Sequence, residues 1–168
     1  VVDVITESAE EERQIMSGIT TDVEEDDSIW KLSNARLPWL VIGILGGLFG
    51  AFFLGSFESN YFEENEVFIS LSFFIPLIMA TAGNVGIQSS SIVIQTLSTP
   101  SPFEISVAER LIKVILVSIL NGIVLSILVY SGLMLFDYLN FLDFEIFSKT
   151  AKIVSVSLFS IVLVSSLL

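Results

Sequence analysis

The chain contains no cysteine and no histidine. Without cysteine it can form neither a disulfide bond nor a thiolate metal site. Without histidine it lacks the usual general base and the commonest ligand of transition metals. It also contains no His-Glu-x-x-His element and no pair of aspartates within its apolar runs, so we do not expect an enzyme. Only seven Lys and Arg residues stand against nineteen Asp and Glu, and a net charge of −12 argues against a nucleic-acid partner.

Charged residues are absent from four long stretches of a chain that is 53% hydrophobic. About 20 apolar helical residues suffice to cross the hydrocarbon core of a bilayer. The pattern therefore predicts an all-α, polytopic transmembrane helical bundle, with a transmembrane domain over residues 29–168 in contact with membrane lipid. Its four spans correspond to the uncharged runs 37–57, 67–97, 114–136 and 153–168, of which we expect the last to be truncated.

The first 28 residues are acidic and are predicted to form a cytosolic linker or gating helix. A capping box beginning at Ser8 predicts a short helix that ends at Gly18, followed by an acidic loop. Ser28 is expected to cap the next helix. Because the chain opens on Val1 and on acidic residues, it does not resemble a signal peptide, and we expect it to begin inside a larger protein.

The distribution of Lys and Arg predicts the orientation in the membrane. Lys31 and Arg36 precede the first span, and two further basic residues precede the third, whereas the loop between the first two spans is acidic. Positive charge favours the cytoplasmic side, so the N-terminal segment is expected to be cytoplasmic in a multi-pass protein of the cell (inner) membrane. Lys149 and Lys152 fall on the outer side, which weakens the bias.

Two spans carry small residues at helical spacing. The first has Gly43, Gly47 and Gly50, and the third has Ser118 and Gly122. Such residues let helix backbones approach closely, which is how helices pack in lipid. They are consistent either with a bundle or dimer interface around a pathway or with ordinary packing within one chain.

The second span is the most polar. Pro76 deprives the carbonyl of Ser72 of its helical donor, which predicts a kink, and Gly83, Asn84, Gly86 and Gln88 follow. Loosened backbone at membrane depth must face protein or water. Its carbonyl oxygens, like the side-chain amide oxygens, can ligate Mg²⁺ or accept hydrogen bonds from the water shell of the ion. One interpretation is a cation pathway; the other is a kinked helix whose carboxamides join neighbouring helices. The four runs contain no Asp or Glu, so they do not form a complete ion site by themselves.

The N-terminal segment carries five acidic residues that would lie close together on and before one short helix. Crowded carboxylates repel one another and recruit Mg²⁺ or Ca²⁺. A solvated helix face is the alternative, since acidic runs are usually solvated. The residues concerned are Asp3, Glu7, Glu10, Glu11 and Glu12.

Several motifs resemble the MgtE family of magnesium transporters. The sequence Arg36-Leu37-Pro38-Trp39-Leu40 opens the first span, and Phe57-Glu58-Ser59 ends it. The sequence Phe74-Ile75-Pro76 leads into Gly83-Asn84-Val85-Gly86-Ile87-Gln88-Ser89, which is similar to a Gly-Gly-Asn-x-Gly-x-Gln element with Ala82 in place of its first glycine. The opening residues Val1 to Val4 resemble the end of a regulatory CBS-domain pair.

This resemblance implies a homodimer with five membrane helices per subunit around a Mg²⁺ pathway, closed by an acidic cytosolic gate when internal Mg²⁺ is high. It places Asp3, Glu11 and Glu12 on the gate side, with Glu7 and Glu10 matching less directly. Gly83, Asn84, Gly86 and Gln88 match the element beside the pore. The family's pore carboxylate lies on a fifth membrane helix in an Asp-Pro-Ala segment that this chain does not contain, and the CBS-type domain is likewise missing.

Two rival functions remain open at this point. One is a secondary exchanger that couples divalent cations to Na⁺ or H⁺. The other is a non-transporting membrane anchor or signalling module, in which the polar residues of the second span serve packing alone.

Overall fold

The computed structural model describes residues 2–20, 23–24, 27–58, 71–98, 106–138 and 144–167. Within these ranges there are helices and turns but no strands, which confirms the all-α prediction. The helices are α1 (Val2–Met16), α2 (Ile29–Glu58), α3 (Ile75–Ser98), α4 (Val107–Tyr138) and α5 (Phe144–Leu167).

Four of these helices are long and apolar enough to cross a membrane, which confirms the predicted number of spans. Large apolar side chains lie on their outer surfaces; Ile42 and Phe49 of α2, for example, are 62% and 70% exposed. A soluble bundle would bury such side chains, whereas a lipid environment accepts them. The chain is therefore a multi-pass membrane protein. The candidate spans are Ile29–Phe52, Ile75–Ile94, Ala108–Phe136 and Lys149–Leu167.

The spans form one bundle in which α4 and α5 pack against each other most extensively. The Ser126 hydroxyl donates to the Ser155 carbonyl at 2.9 Å, and one turn earlier in α4 Gly122 faces Phe159, so the two helices run antiparallel. Helix α3 packs against α2 and α5, and α1 lies against α3. The buried apolar core follows one stripe of each span and includes Leu40, Ile44, Leu77, Val85, Leu125, Val129, Leu158 and Val162.

Local capping sets the helix starts. The hydroxyl of Ser28 accepts the N–H of Lys31 at 3.3 Å, which confirms the predicted cap of α2. Before α4, Ser106 and Glu109 form a reciprocal capping box, each backbone N–H donating to the other side chain at 3.2 Å.

The predicted end of α1 is confirmed, but its predicted start is wrong. Gly18 has a φ of +77°, its N–H donates to Ile15, and the N–H of Ile19 donates to the Gln14 carbonyl. This is a Schellman motif, which suits glycine because a left-handed residue without Cβ carries no strain. At the other end the helix begins at Val2 rather than near Ser8. Inside a helix the amides that follow Ser8 are already paired, so its hydroxyl has no orphan donor to cap.

The disruption predicted at Pro76 is a break in the helix just before it. Residues 71–72 are helical, residues 73–74 form a turn, and α3 begins at Ile75, so Pro76 lies in the first turn of α3, where a missing N–H is no loss. Helix α3 then continues unbroken through Gly83 and Gly86, and the glycines do not loosen it. Pro38, by contrast, lies in the interior of a helix, α2.

Candidate functional site

A buried cation joins α2 to the polar half of α3. Arg36 is 3% exposed, and its guanidinium donates to three neutral acceptors of α3. The donor–acceptor distances are 3.3 Å from Nε to Gln88 Oε1, 3.2 Å from Nη2 to the Val85 carbonyl and 2.6 Å from Nη2 to Ser89 Oγ. A buried charge persists only when its donors are satisfied, so these contacts fix α2 against α3.

Gln88 extends this network to the segment that precedes the membrane domain. Its side chain is fully buried, and its Nε2 donates to the Gly18 carbonyl at 3.1 Å and to the Arg36 carbonyl at 3.4 Å. Gly18 itself is pressed against the Trp39 indole, and a Cβ at Gly18 would lie 2.8 Å from Trp39 Cδ2. One carboxamide therefore connects the end of α1, α2 and α3.

Pro38 of α2 lies beside this arrangement. It has no N–H to donate to the carbonyl of Asn34, one turn earlier. The next two carbonyls of α2 accept bonds from outside the helix. That of Ala35 accepts the N–H of Thr20 at 2.9 Å and its hydroxyl at 3.1 Å, and that of Arg36 accepts Gln88. The linker after α1 is thus bound to α2 beside its proline.

Sequence reasoning did not assign a role to Gln14 or a partner to Arg36. Gln14 is 2% exposed, and its carboxamide pairs with Val23, donating to the carbonyl at 2.8 Å and accepting the N–H at 3.1 Å. A detectable signal existed for Arg36, because an ionisable residue in an apolar helix needs a polar partner and Gln88 is one of few available. No comparable signal marks Gln14, which sits among other polar residues.

The four residues predicted to line an ion pathway lie on one continuous helix but in different surroundings. Gly83 is exposed, and no described atom lies within 4 Å of where its Cβ would be. Asn84 is half-buried, and its carboxamide nitrogen would lie 3.1 Å from a Cβ at Gly43 of α2. Gly86 faces the end of α5, where a Cβ would lie 3.9 Å from the Ser165 carbonyl. Gln88 is enclosed in the Arg36 network.

The predicted packing residues also differ among themselves. A Cβ at Gly47 would lie 3.0 Å from Leu77 Cβ and 3.2 Å from Leu77 Cα, so α2 and α3 approach closely there. A Cβ at Gly122 would lie 2.9 Å from Phe159 Cδ2 of α5. Ser118 is buried and donates to its own helix at Val114. Gly50 has no described atom within 4 Å of its Cβ position.

The acidic residues of α1 lie on one helix ahead of the membrane domain. Glu11 and Glu12 are exposed. Asp3, Glu7 and Glu10 belong to the same helix, but their side chains are outside the described part of the structure. No group of three acidic side chains that could hold a metal ion occurs among the described residues.

Asp27, at the entrance to α2, has a well-defined electrostatic environment. Its carboxylate accepts Lys31 Nζ at 2.7 Å and the N–H of Glu24 at 2.9 Å. Burial raises the pKa of Asp27, but these hydrogen bonds and the charges of Lys31 and Lys113 outweigh it, so the pKa lies below its ordinary value. Asp27 is therefore ionised at neutral pH, and the charge of Lys113 acts on it from α4.

Sequence comparison with known proteins assigns the chain to a family. The family profile described as a divalent cation transporter, MgtE, matches residues 75–168, which is more than half of the chain. The magnesium transporter MgtE of Bacillus subtilis is 27% identical over 129 residues, and that of Enterococcus faecalis is 29% identical over 135 residues. These matches cover 77% and 79% of this chain, and the chain spans 28% of the length of each relative.

A third relative matches a shorter part of the chain at higher identity. The magnesium transporter MgtE of Thermus thermophilus is 40% identical over 65 residues, which are 39% of this chain and 14% of that protein. No solved structure matches the chain. With the family profile covering α3 to α5, including Asn84 and Gln88, the chain belongs to the MgtE family of divalent cation transporters.

Proposed function

We propose that this chain forms part of a pathway that carries Mg²⁺ across the cell membrane. The observation that carries the proposal is the family match over residues 75–168, which begins with the polar helix α3 and includes three of the four spans. The transported ion is the substrate, and the similarity to proteins named magnesium transporter favours Mg²⁺ among divalent cations.

Asn84 is the residue of α3 that we assign to the ion pathway. It is half-buried at membrane depth beside Gly43, and the helix presents open space next to it at Gly83. Mg²⁺ gives up its water reluctantly, so a carboxamide that accepts hydrogen bonds from the hydrated ion is a suitable contact. Gly83 and Gly86 keep the surface beside Asn84 free of side chains, and Gln88 holds the middle of α3 in place through Arg36.

We further propose that the acidic helix α1 senses cytosolic Mg²⁺. Bound Mg²⁺ would reduce the mutual repulsion of the carboxylates on this helix. These belong to Glu11 and Glu12 and to Asp3, Glu7 and Glu10. The contact of Gln88 with Gly18 gives α1 a direct connection to α3. The complete transporter in this proposal is a homodimer with a CBS-type regulatory domain before α1 and a fifth membrane helix, and its N-terminal segment is cytoplasmic.

The test uses the intact protein in liposomes that contain a magnesium-sensitive dye. Asn84→Leu is expected to lower Mg²⁺ influx about tenfold or more, because losing a contact worth about 1.4 kcal/mol in the rate-limiting step changes a rate tenfold. Asn34→Leu is the matched control, since it replaces an exposed carboxamide of α2 and should leave influx unchanged. Equal influx in Asn84→Leu and wild type would remove Asn84 from the pathway.

The same vesicles separate the rival functions. Influx that falls as Mg²⁺ rises on the α1 side would support the sensor. Influx that requires a Na⁺ or pH gradient would identify an exchanger instead of a channel. No influx under any gradient would indicate an anchor, and the polar residues of α3 would then serve packing.

A further inference from the structure

Three of the seven basic residues of the chain line one groove. Arg36 of α2 and Arg110 and Lys113 of α4 share it with the hydroxyl groups of Ser89 and Ser166. The chain as a whole has a net charge of −12, so this collection of cations is unusual for it. No acidic residue is among the described residues that line the groove.

The remaining wall of the groove is apolar. It is made by Leu32 of α2, Ile92 and Val93 of α3, and Val114 and Val117 of α4. On the outer surface of α4 the neighbouring apolar side chains are also exposed, Ile112 by 57% and Leu116 by 43%. A hydrophilic anion would leave these walls uncovered, whereas an amphiphile would cover them.

The groove lies at one end of the bundle. Arg110 and Lys113 belong to the first two turns of α4, and Ser166 belongs to the last turn of α5. This is also the end at which Asp27 precedes α2 and Lys31 lies in the first turn of that helix. Helix ends of this kind meet the headgroup layer, where the phosphates of lipids reside.

Two carboxylates near the groove have described hydrogen-bond partners. Glu109 precedes Arg110 in sequence, but its carboxylate accepts the N–H of Ser106 in the capping box of α4. The charge of Lys113 lowers the pKa of Asp27, whose Oδ2 forms an ion pair with Lys31 Nζ at 2.7 Å. Asp27 therefore reduces the positive potential of the groove, and none of the described residues that line the groove is acidic.

We propose that the groove between α2, α3 and α4 binds an anionic phospholipid, with its phosphate on Arg110 and Lys113 and its acyl chains along the apolar face of α4. Basic pockets between membrane helices at the cytoplasmic side are sites of this kind. Arg36 adds positive charge from the wall while remaining bound to α3. A lipid seated here would contact α2, α3 and α4 together and hold them at the end where α1 joins the bundle.

The test measures lipid binding and does not depend on transport. The intact protein in detergent is titrated with phosphatidylglycerol and with phosphatidylcholine of the same acyl chains, and bound lipid is counted by native mass spectrometry. We expect wild type to prefer phosphatidylglycerol. Arg110→Gln with Lys113→Gln should lower that preference about thirtyfold, because each basic residue near anionic lipid contributes about fivefold.

The chain offers a matched control at its opposite end. Lys149→Gln with Lys152→Gln removes the same charge from exposed positions of α5 and should leave the preference unchanged. The exchange Arg110→Lys with Lys113→Arg keeps both charges and should retain binding, which separates loss of charge from misfolding. Equal binding of the two lipids to wild type, or an equal loss in the α5 control, would overturn the proposal. Displacement of the lipid by inorganic phosphate at millimolar concentration would identify a site for free anions instead.

Discussion

Arg36 is a charged residue in a membrane helix whose observed acceptors are all neutral. Its guanidinium is bound by a carboxamide, a carbonyl and a hydroxyl of α3, and the ion pair between Lys31 and Asp27 in the described structure lies outside this network. Neutral acceptors stabilise a buried cation less than a carboxylate does, so each one matters. Gln88 matters most, because the same carboxamide also satisfies the Gly18 carbonyl.

Replacing Gln88 with Leu should therefore destabilise the membrane domain. The change removes one acceptor from Arg36 and leaves the Gly18 carbonyl without this donor, and unsatisfied buried groups cost about 1–3 kcal/mol each. The free energy of unfolding in mixed micelles measures the loss. Ser90→Leu is the control, since Ser90 is an exposed polar residue on the same helix and its replacement should cost little. A Gln88→Leu protein as stable as the Ser90 variant would show that the network is dispensable.

At the scale of the elements, the antiparallel pair α2 and α3 depends on a close approach at Gly47. The neighbouring small residues of α2 do not share this role, since Gly46 and Gly50 have no described atom within 4 Å of their Cβ positions. In lipid no hydrophobic force holds two helices together, so packing at such contacts supplies much of the attraction. The glycines of α2 thus include Gly47, which approaches the backbone of Leu77, and Gly43, which approaches the Asn84 side chain, whereas Gly46 and Gly50 make no such contact.

Gly47→Ala should separate the two helices, whereas Gly50→Ala should not. A methyl group at Gly47 meets the backbone of Leu77 at 3.2 Å, which a rotamer change cannot relieve, and overpacking of this kind costs about 1–3 kcal/mol. Thermal unfolding of the two variants in the same detergent provides the comparison. Similar melting temperatures for both would mean that α2 and α3 adjust freely and that the contact is loose.

The elements also show what a sequence can and cannot predict here. Ser28 and Gly18 were predictable as helix boundaries because capping depends on a few consecutive residues. A disruption near Pro76 was also predictable because proline lacks the N–H that would continue a helix, but its exact place, the turn at residues 73–74, was not. The hydrogen bond between Arg36 and Gln88 was not predictable in this way, because the two residues are 52 positions apart and come together only when the helices pack.

At the scale of the whole molecule, the four spans place the two ends of the bundle in different surroundings. Arg36, Arg110 and Lys113 gather at the end that carries α1, whereas Lys149 begins the fourth span at the opposite end. Excess positive charge near short loops favours the cytoplasmic side of a membrane. The arrangement supports the proposed cytoplasmic position of α1.

Because the chain has no cysteine, its topology can be tested by single substitutions. Glu11→Cys and Lys149→Cys both change exposed residues. A membrane-impermeant maleimide should label Lys149→Cys in intact cells and Glu11→Cys only after lysis, and the unsubstituted protein is the blank for both. Labelling of Glu11→Cys in intact cells would invert the proposed orientation.

The Schellman turn at Gly18 has a mechanical consequence. Helix α1 has 15 residues, which give it a length of about 22 Å, and it is held at its end through Gly18, Thr20 and Gln88. A tilt of α1 by about 10° about this attachment would move its N-terminal end by about 4 Å. The strain would fall on Gln88, which lies one turn of helix away from Asn84.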